Sequence, residues 1–370
     1  MAVLVTGFPG FIGGRLVQAL LEEAPDTRVV ALVEPRMADK ASELARKIAA
    51  GAPVAVGGPP EGDGDRIEVL PGDITERRLG LDDDRYERLA AETTAVYHLA
   101  AVYDLAVPLD VATKVNVDGT GNVLTFCRDC ERLDRLHYVS TAYVAGRRTG
   151  HVYEHELALG QSFKNHYEST KFQAEVWVRE AMDKVPTTIY RPAIVVGDSG
   201  TGETPKFDGP YYMLRVISRA TRWHMPIPRF GRAEAPFNVV PVDFIIDAMT
   251  TADDVPELVG STLHLVDPEP VSAAKVFDIL AKEYADRTTA YRLPPKLVAG
   301  SLRVPAVRRL FSGAPPQSIR YLNLPVYFDP RAARELLEPR GVRCPRLEEY
   351  VGPMVEFFRE HEDDPSYSPG

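Results

Sequence analysis

Apolar residues recur along this chain in two alternating rhythms. Val3-Leu4-Val5, Arg28 to Val33, Thr94 to Leu99 and Leu136 to Val139 are short buried-strand runs, whereas Phe11 to Leu21 places its apolar residues at helical spacing. Ser162 to Glu180 is free of proline and glycine and reads as a further helix. Strand and helix signals alternate to about residue 197, the order that builds a parallel sheet covered on both faces. Phe237 to Ala248 turns apolar again and Leu263-His264-Leu265-Val266 reads as a late strand, so the sheet is revisited after an excursion. The prediction is an α/β fold: a doubly wound parallel sheet from residues 1–197 with 237–266, and a smaller, discontinuous C-terminal lobe from 198–236 with 267–360. Gly51 to Gly64 reads as a flexible surface insertion, Asp198 to Phe207 as a lid beyond the strand Ile194-Val195-Val196, and 361–370 as a flexible tail.

The turn between the first strand and the first helix sharpens this picture. Residues 5–13 read VTGFPGFIG. Gly7 permits the tight turn, Gly10 lets backbone N–H groups approach a pyrophosphate, and Gly13 lets helix and strand pack, with the positive helix N-terminus behind them. Gly7, Gly10, Phe11, Ile12 and Gly13 therefore form a candidate dinucleotide cradle in a Rossmann-type sheet. Leu99, Ala100 and Ala101 end the run that starts at Thr94 in mostly small residues against which a flat cofactor can lie. His98 beside them reads as a satisfied structural residue. At the end of the second strand, Glu34 suits the free ribose hydroxyls of NAD, whereas Arg36, or Lys40, suits the 2′-phosphate of NADP. Both signals stand, and the cofactor reads as NADP or NAD.

Ser140 and Thr141 follow the strand Leu136 to Val139, on the side of an open α/β sheet where ligands bind. Tyr167 and Lys171 are four apart and share one helical face. A phenol of pKa about 10 is a poor proton carrier at neutral pH, and an adjacent ammonium together with a cationic nicotinamide is expected to lower it. Tyr-x-x-x-Lys alone is an ordinary surface contact; its place after a glycine loop and a hydroxyl-ended strand is what points to hydride chemistry.

Taken in order, the glycine loop, His98-Leu99-Ala100-Ala101, Asn116-Val117-Asp118-Gly119-Thr120, Ser140-Thr141-Ala142, Tyr167-Glu168-Ser169-Thr170-Lys171 and Arg191-Pro192 resemble the extended short-chain dehydrogenase/reductases. The resemblance implies Thr141, Tyr167, Lys171 and Asn116 as catalytic residues, with Asn116 supporting proton relay. It further implies cofactor contacts at Asp73, Ile74, Ser140, Tyr167, Lys171, Arg191 and Pro192. The strings HYVSTAYVAG, SFKNHYESTKFQAE and RPAIVVGDSGTGETPKFDGPYY look like the fatty acyl-CoA reductase and thioester reductase branch. That branch implies reduction of an acyl thioester, CoA-linked or carrier-bound, or of the derived aldehyde, by a free-standing reductase and in a possible homodimer. A ketone or hydroxysteroid-like alcohol dehydrogenase, a sugar-nucleotide epimerase and a non-enzymatic dinucleotide-binding regulator are the alternatives.

Composition changes this picture little. A net charge of −10 over 370 residues argues against nucleic acid as a partner. No apolar stretch reaches about 18 residues and no leader precedes the first strand, so a cytoplasmic chain without stable membrane insertion is expected. Cys127-Arg128-Asp129-Cys130 and the pair His151 and His155 lack the partners of a metal site, and no metal is predicted. Tyr211, Tyr212, Met213, Trp223 and Met225 are candidates for an acyl tunnel as well as for ordinary core. Lys296 to Leu310 mixes cations with apolar residues, as a docking helix would, although Val304-Pro305 divides it.

Overall fold

The computed structural model describes residues 2–24, 26–51, 66–103, 107–229, 235–253, 255–292 and 318–367. Most of the Gly51 to Gly64 insertion and the whole Lys296 to Leu310 segment lie outside these.

Seven parallel strands form the central sheet: β1 (Ala2–Thr6), β2 (Arg28–Val33), β3 (Ile67–Pro71), β4 (Thr93–His98), β5 (Arg135–Val139), β6 (Thr187–Pro192) and β7 (Thr262–Leu265). Their order across the sheet is β3-β2-β1-β4-β5-β6-β7, with Val5 of β1 paired to Ala31 on one side and to Tyr97 on the other. The reversal of winding between β1 and β4 is the switch point at which open α/β sheets bind ligands.

Side chains alternate across each strand, and helices cover both faces. Val3 and Val5 pack under α1 (Phe11–Glu23), α2 (Ala38–Ala49) and the later helix Val242–Asp253. Ala2 and Leu4 pack on the opposite face against α3 (Asp83–Glu92), α4 (Gly119–Asp129) and α5 (His166–Ala181). A third core joins α6 (Tyr211–Arg222), α8 (Ala273–Ala285) and α10 (Leu347–His361), where α7 denotes Val242–Asp253 and α9 Arg331–Leu337. This core is the smaller lobe.

In two places the packing departs from the sequence expectation. Residues 326–344, expected in the lobe, contribute Val326, Phe328, Ala333, Leu337 and Cys344 to the core under the central sheet. Strand Val326–Phe328 pairs with Gly150–Val152, and the buried Glu154 carboxylate accepts the N–H groups of His264, Ala332 and Ala333, fixing the start of α9 beside β7. Residues 361–367, expected as tail, are docked. The Tyr367 ring stacks on Phe207 at 5.1 Å, its carbonyl accepts Phe207 N–H at 2.9 Å, and Glu362 receives Tyr284 Oη and Arg222. An aromatic ring with a buried partner holds the chain where composition alone suggests fraying.

Candidate active site

The glycine loop folds tightly on itself. Gly7 has φ +92°, and a Cβ there would sit 2.8 Å from Ala100 N and 2.9 Å from the Leu99 carbonyl carbon. Cβ atoms at Gly10 or Gly13 would each lie 2.6 Å from the Gly7 carbonyl oxygen. Bare backbone is thus required at all three positions. Gly10 caps α1 without a side-chain bond, and the first turn of α1 places no carboxylate of its own on the amides of Phe11 and Ile12. That cradle fits a diphosphate.

His98 lies under the loop. Its Nδ1 meets Thr6 Oγ1 at 2.7 Å and its Nε2 meets Thr120 Oγ1 at 3.0 Å, while Thr120 donates to the Asn116 carbonyl at 2.7 Å. Thr120 must therefore accept from Nε2–H, leaving Nδ1 as the acceptor from Thr6. Burial, with Lys171 adding, pushes the imidazole down to about 3, so the ring is neutral and structural as the sequence suggests.

Asn116 stands in a π-helical turn, Thr113–Asp118, that leads into α4. Its Oδ1 accepts Val102 N–H at 2.8 Å, and its Nδ2 donates to the Val102 carbonyl at 3.1 Å and to Thr170 Oγ1 at 3.0 Å. Both amide donors are thereby engaged in clamping the β4 loop to the helix that carries Tyr167 and Lys171.

Thr141 and Tyr167 meet at the carboxyl end of β5. Thr141 caps the short turn Ala142–Ala145, its Oγ1 accepting Tyr143 N–H at 3.3 Å and donating to the Pro192 carbonyl at 3.5 Å, and it lies near enough to the Tyr167 phenol to favour its ionised form. Asn165 caps α5 through Glu168 N–H at 2.9 Å, which places Tyr167 in the first turn and Lys171 one turn later. Lys171 is buried. Its Nζ donates to the Val139 carbonyl at 2.8 Å and lies 4.5 Å above the Tyr138 ring.

Among the protein's own groups, burial acts against the expected lowering. Burial raises the Tyr167 phenol to about 12; the Thr141 hydroxyl opposes this, while Glu168 and Tyr103 add to it. Burial lowers Lys171 to about 7, with Glu175 opposing. The protein's own residues thus keep the phenol protonated, because desolvation outweighs the attraction of an ammonium that is turned to a carbonyl.

Ser140 and Arg191, expected at the cofactor, face elsewhere. Ser140 Oγ donates to Glu175 at 2.6 Å. The Arg191 guanidinium contacts Glu175 through Nε and Nη2, the carbonyls of Glu154 and Glu156, and His264 Nε2. All five of its N–H donors are engaged, leaving only the Arg191-Pro192 backbone for any ligand contact. After β3, where an adenosine contact is expected, Asp73 accepts Thr75 N–H at 2.8 Å, and Asn122 holds the Ile74 carbonyl at 2.8 Å. Glu34 and Arg36, the two conflicting cofactor signals, form an ion pair with each other at 2.7 Å.

The substrate side also differs from expectation. The Asp198 to Phe207 segment is pinned rather than lid-like. Arg15 of α1 reaches Asp198 at 3.4 Å and Glu203 at 2.7 Å, Ser199 bonds Asp243, and a Cβ on Gly202 would overlap the Pro353 carbonyl. The five residues proposed for a tunnel do not converge: Tyr211 and Met213 belong to the lobe core, whereas Trp223 and Met225 are exposed.

Sequence reading missed a buried cluster beside Tyr167. Lys164 and Glu168 pair at 2.8 Å, and Tyr321 donates to Glu168 at 2.8 Å. The i,i+4 spacing of Lys164 and Glu168 was visible; the third member lies 153 residues away. Among the described residues no group of His, Cys, Asp and Glu is arranged to hold a metal ion, and no helix is long and apolar enough to cross a membrane.

The model of an NAD-binding family described as male sterility protein matches residues 5–249. The chain is 27% identical over 373 residues to the non-canonical nonribosomal peptide synthetase FrzA of a Cladobotryum species, an alignment covering 94% of this chain and 35% of that protein. It is 28% identical over 396 residues to the aldehyde reductase lnaA of Aspergillus flavus, covering 96% of this chain and 36% of that one. The chain thus spans about a third of the length of these curated relatives. Among solved structures, the terminal R domain from the myxalamid PKS-NRPS biosynthetic pathway superposes with a TM-score of 0.81 at 25% identity, covering 100% of this chain and 92% of that one.

Proposed function

We propose that this chain, which belongs to the male sterility protein family, the thioester-reductase-like branch of the extended short-chain dehydrogenase/reductases, is an NAD(P)H-dependent reductase of acyl thioesters or of the derived aldehydes. The observation that carries this reading is the convergence of Thr141, Tyr167 and Lys171 at the carboxyl end of β5, behind the glycine cradle. A phenol that keeps its proton at neutral pH has one to give to a carbonyl oxygen becoming an alkoxide, since the alcohol formed is the weaker acid.

The Gly7–Gly13 cradle and the amides of Phe11 and Ile12 would hold the diphosphate, Leu99 to Ala101 the nicotinamide side, and Lys171 the ribose hydroxyls. The bound dinucleotide supplies a hydride to the carbonyl carbon. Thr141 donates a hydrogen bond to the oxygen that gains charge, and Tyr167 O–H delivers the proton to that oxygen. With a thioester, the resulting hemithioacetal loses its thiol: the C–S bond breaks, the hydroxyl proton leaves with sulfur, and an aldehyde remains. The acyl group arrives on CoA or on a carrier protein. Asn116, by clamping Val102 to Thr170, keeps the β4 loop and α5 in register around this chemistry. A homodimer is part of the proposal: Leu109 and Val111 lie exposed on the helical segment that runs into α4, and light scattering of the purified chain tests it.

The test is dinucleotide oxidation with NADH and NADPH in parallel, against acyl-CoAs of increasing length, fatty aldehydes, ketones and nucleotide sugars. Thioester-dependent oxidation with aldehyde or alcohol as product is expected. Turnover confined to ketones, or epimerisation without net oxidation, would overturn the reading.

A further inference from the structure

The cluster beside the catalytic helix joins three segments that are remote in sequence. Tyr321 lies in the turn Ser318–Asn323, which leads toward strand Val326–Phe328. Its hydroxyl donates to Glu168 Oε1 at 2.8 Å and accepts from Asn165 Nδ2 at 2.8 Å. Asn165 is the cap of α5 and Glu168 directly follows Tyr167, so a single hydroxyl ties together both flanks of the catalytic phenol. The Tyr321 ring packs edge-on against Tyr143 at 4.9 Å, and Tyr143 N–H is the group that Thr141 caps. Lys164 completes the cluster. Its Nζ bonds Glu168 at 2.8 Å and the Gly146 carbonyl at 2.5 Å, and lies 5.1 Å from the Tyr321 ring.

Glu168 is fully buried and Lys164 nearly so. A buried charge pair holds its geometry only when its remaining lone pairs and protons are satisfied. The Glu168 carboxylate receives the Lys164 ammonium, the Lys164 amide at 2.9 Å and the Tyr321 hydroxyl. Tyr321 reaches the cluster from outside residues 141–168, touching the Thr141 turn with its ring and the Tyr167 helix with its hydroxyl.

We infer that Tyr321 is a positioning residue for the proposed reductase reaction: it sets the spacing of the Thr141 hydroxyl and the Tyr167 phenol from the C-terminal part of the chain, without touching substrate. The inference rests on the reading of Thr141 and Tyr167 given above. Tyr321→Phe keeps the ring against Tyr143 and removes only the hydroxyl.

The test compares wild type with Tyr321→Phe and Asn165→Ser, the latter keeping an α5 cap while removing the donor to Tyr321. With Tyr321→Phe, kcat should fall about tenfold, the size expected for misplacing a proton donor rather than removing it, while KM and dinucleotide Kd stay within about twofold. Asn165→Ser should move kcat in the same direction by less. An independent readout is the fluorine spectrum of protein labelled with 3-fluorotyrosine, in which the Tyr167 signal is assigned by its loss in Tyr167→Phe. That signal should shift in Tyr321→Phe and stay fixed in Tyr284→Phe, a control remote from α5. An unmoved Tyr167 signal with unchanged kcat would overturn the inference, as would a loss seen only in thermal stability. If the wild-type protein oxidises neither dinucleotide with any thioester or aldehyde, the functional reading fails on its own, and the fluorine signal still decides whether Tyr321 orders Tyr167.

Discussion

Helix α5 carries two buried polar centres about one turn apart, and they are built on opposite terms. Around Glu175 every strong group has a protein partner: Ser140, Arg179 and Arg191 surround the carboxylate, and the five Arg191 donors are all engaged. Burial alone would raise the Glu175 carboxyl, but the adjacent Arg191 and Arg179 hold it below the usual carboxylate range. Around Tyr167 and Lys171 the partners are sparse and neutral: a threonine hydroxyl for the phenol, a backbone carbonyl and a ring face for the ammonium. The two centres share a strand end, where Ser140 turns to the first and Thr141 to the second. A satisfied network fixes structure, whereas polar groups buried with capacity to spare are placed for a ligand.

Loss of the phenol is the largest expected effect. Tyr167→Phe should reduce kcat by about 10²–10⁴, the usual range for a general acid, with dinucleotide affinity retained. Steady-state rates alongside a fluorescence titration check both halves, and near-normal turnover would end the assignment of Tyr167 as proton donor. Arg191→Met addresses the other centre. It leaves the Glu175 carboxylate buried without its principal cation, which should cost about 3–5 kcal/mol of stability in denaturant unfolding. Turnover per folded molecule should change only a few-fold. If Arg191→Met instead abolished turnover in a fully stable protein, the division between the two centres would be wrong.

The contrast also explains what the sequence made legible. Tyr167 and Lys171 are joined by helical spacing, and Gly7, Gly10 and Gly13 by a single turn, so local pattern suffices for both. The parallel sheet and its helical cover follow from the alternating periodicities in the same way. Ser140 was read at a strand end and Arg191 from the family motif, but what each side chain faces depends on Glu175 and on the carbonyls at 154 and 156, which no local pattern announces. The same holds for Tyr321 on α5, for Tyr367 on Phe207, and for the return of residues 326–344 to the central sheet through a strand three residues long. For Tyr167, spacing reveals a neighbouring ammonium but not the burial that outweighs it among the protein's own groups.

A smaller effect separates the centres by pH. Burial lowers Lys171 from 10.5 in the unfolded chain to about 7 in the folded one. The unfolded chain therefore binds more protons between those values, and stability rises with pH across that window. The penalty for burying the ammonium is complete below about pH 7 and disappears toward 10.5. Lys171→Met should accordingly raise the thermal midpoint at about pH 6 and show little gain near pH 10, while dinucleotide affinity falls at both. A gain independent of pH would mean that the benefit comes from packing rather than from removal of a strained charge.

The smallest expected effect lies at the surface, where the pairing rule of the Glu175 centre recurs without burial. Glu34 and Arg36 neutralise each other, with side-chain exposures of 45% and 78%. Their mutual attraction is therefore weak, about 0–1 kcal/mol, and a 2′-phosphate can draw Arg36 away from Glu34 at little cost. Arg36→Ala should weaken NADPH binding about fivefold with NADH nearly unchanged, and Glu34→Gln should strengthen NADPH by a similar factor, since it removes a repulsive charge. Neither change should move the thermal midpoint. Raising the salt from about 0.1 M to 1 M shortens the screening length from about 10 Å to about 3 Å and should bring the two dinucleotide affinities together in wild type. A preference that resists both substitution and salt would place dinucleotide selection in residues other than this pair.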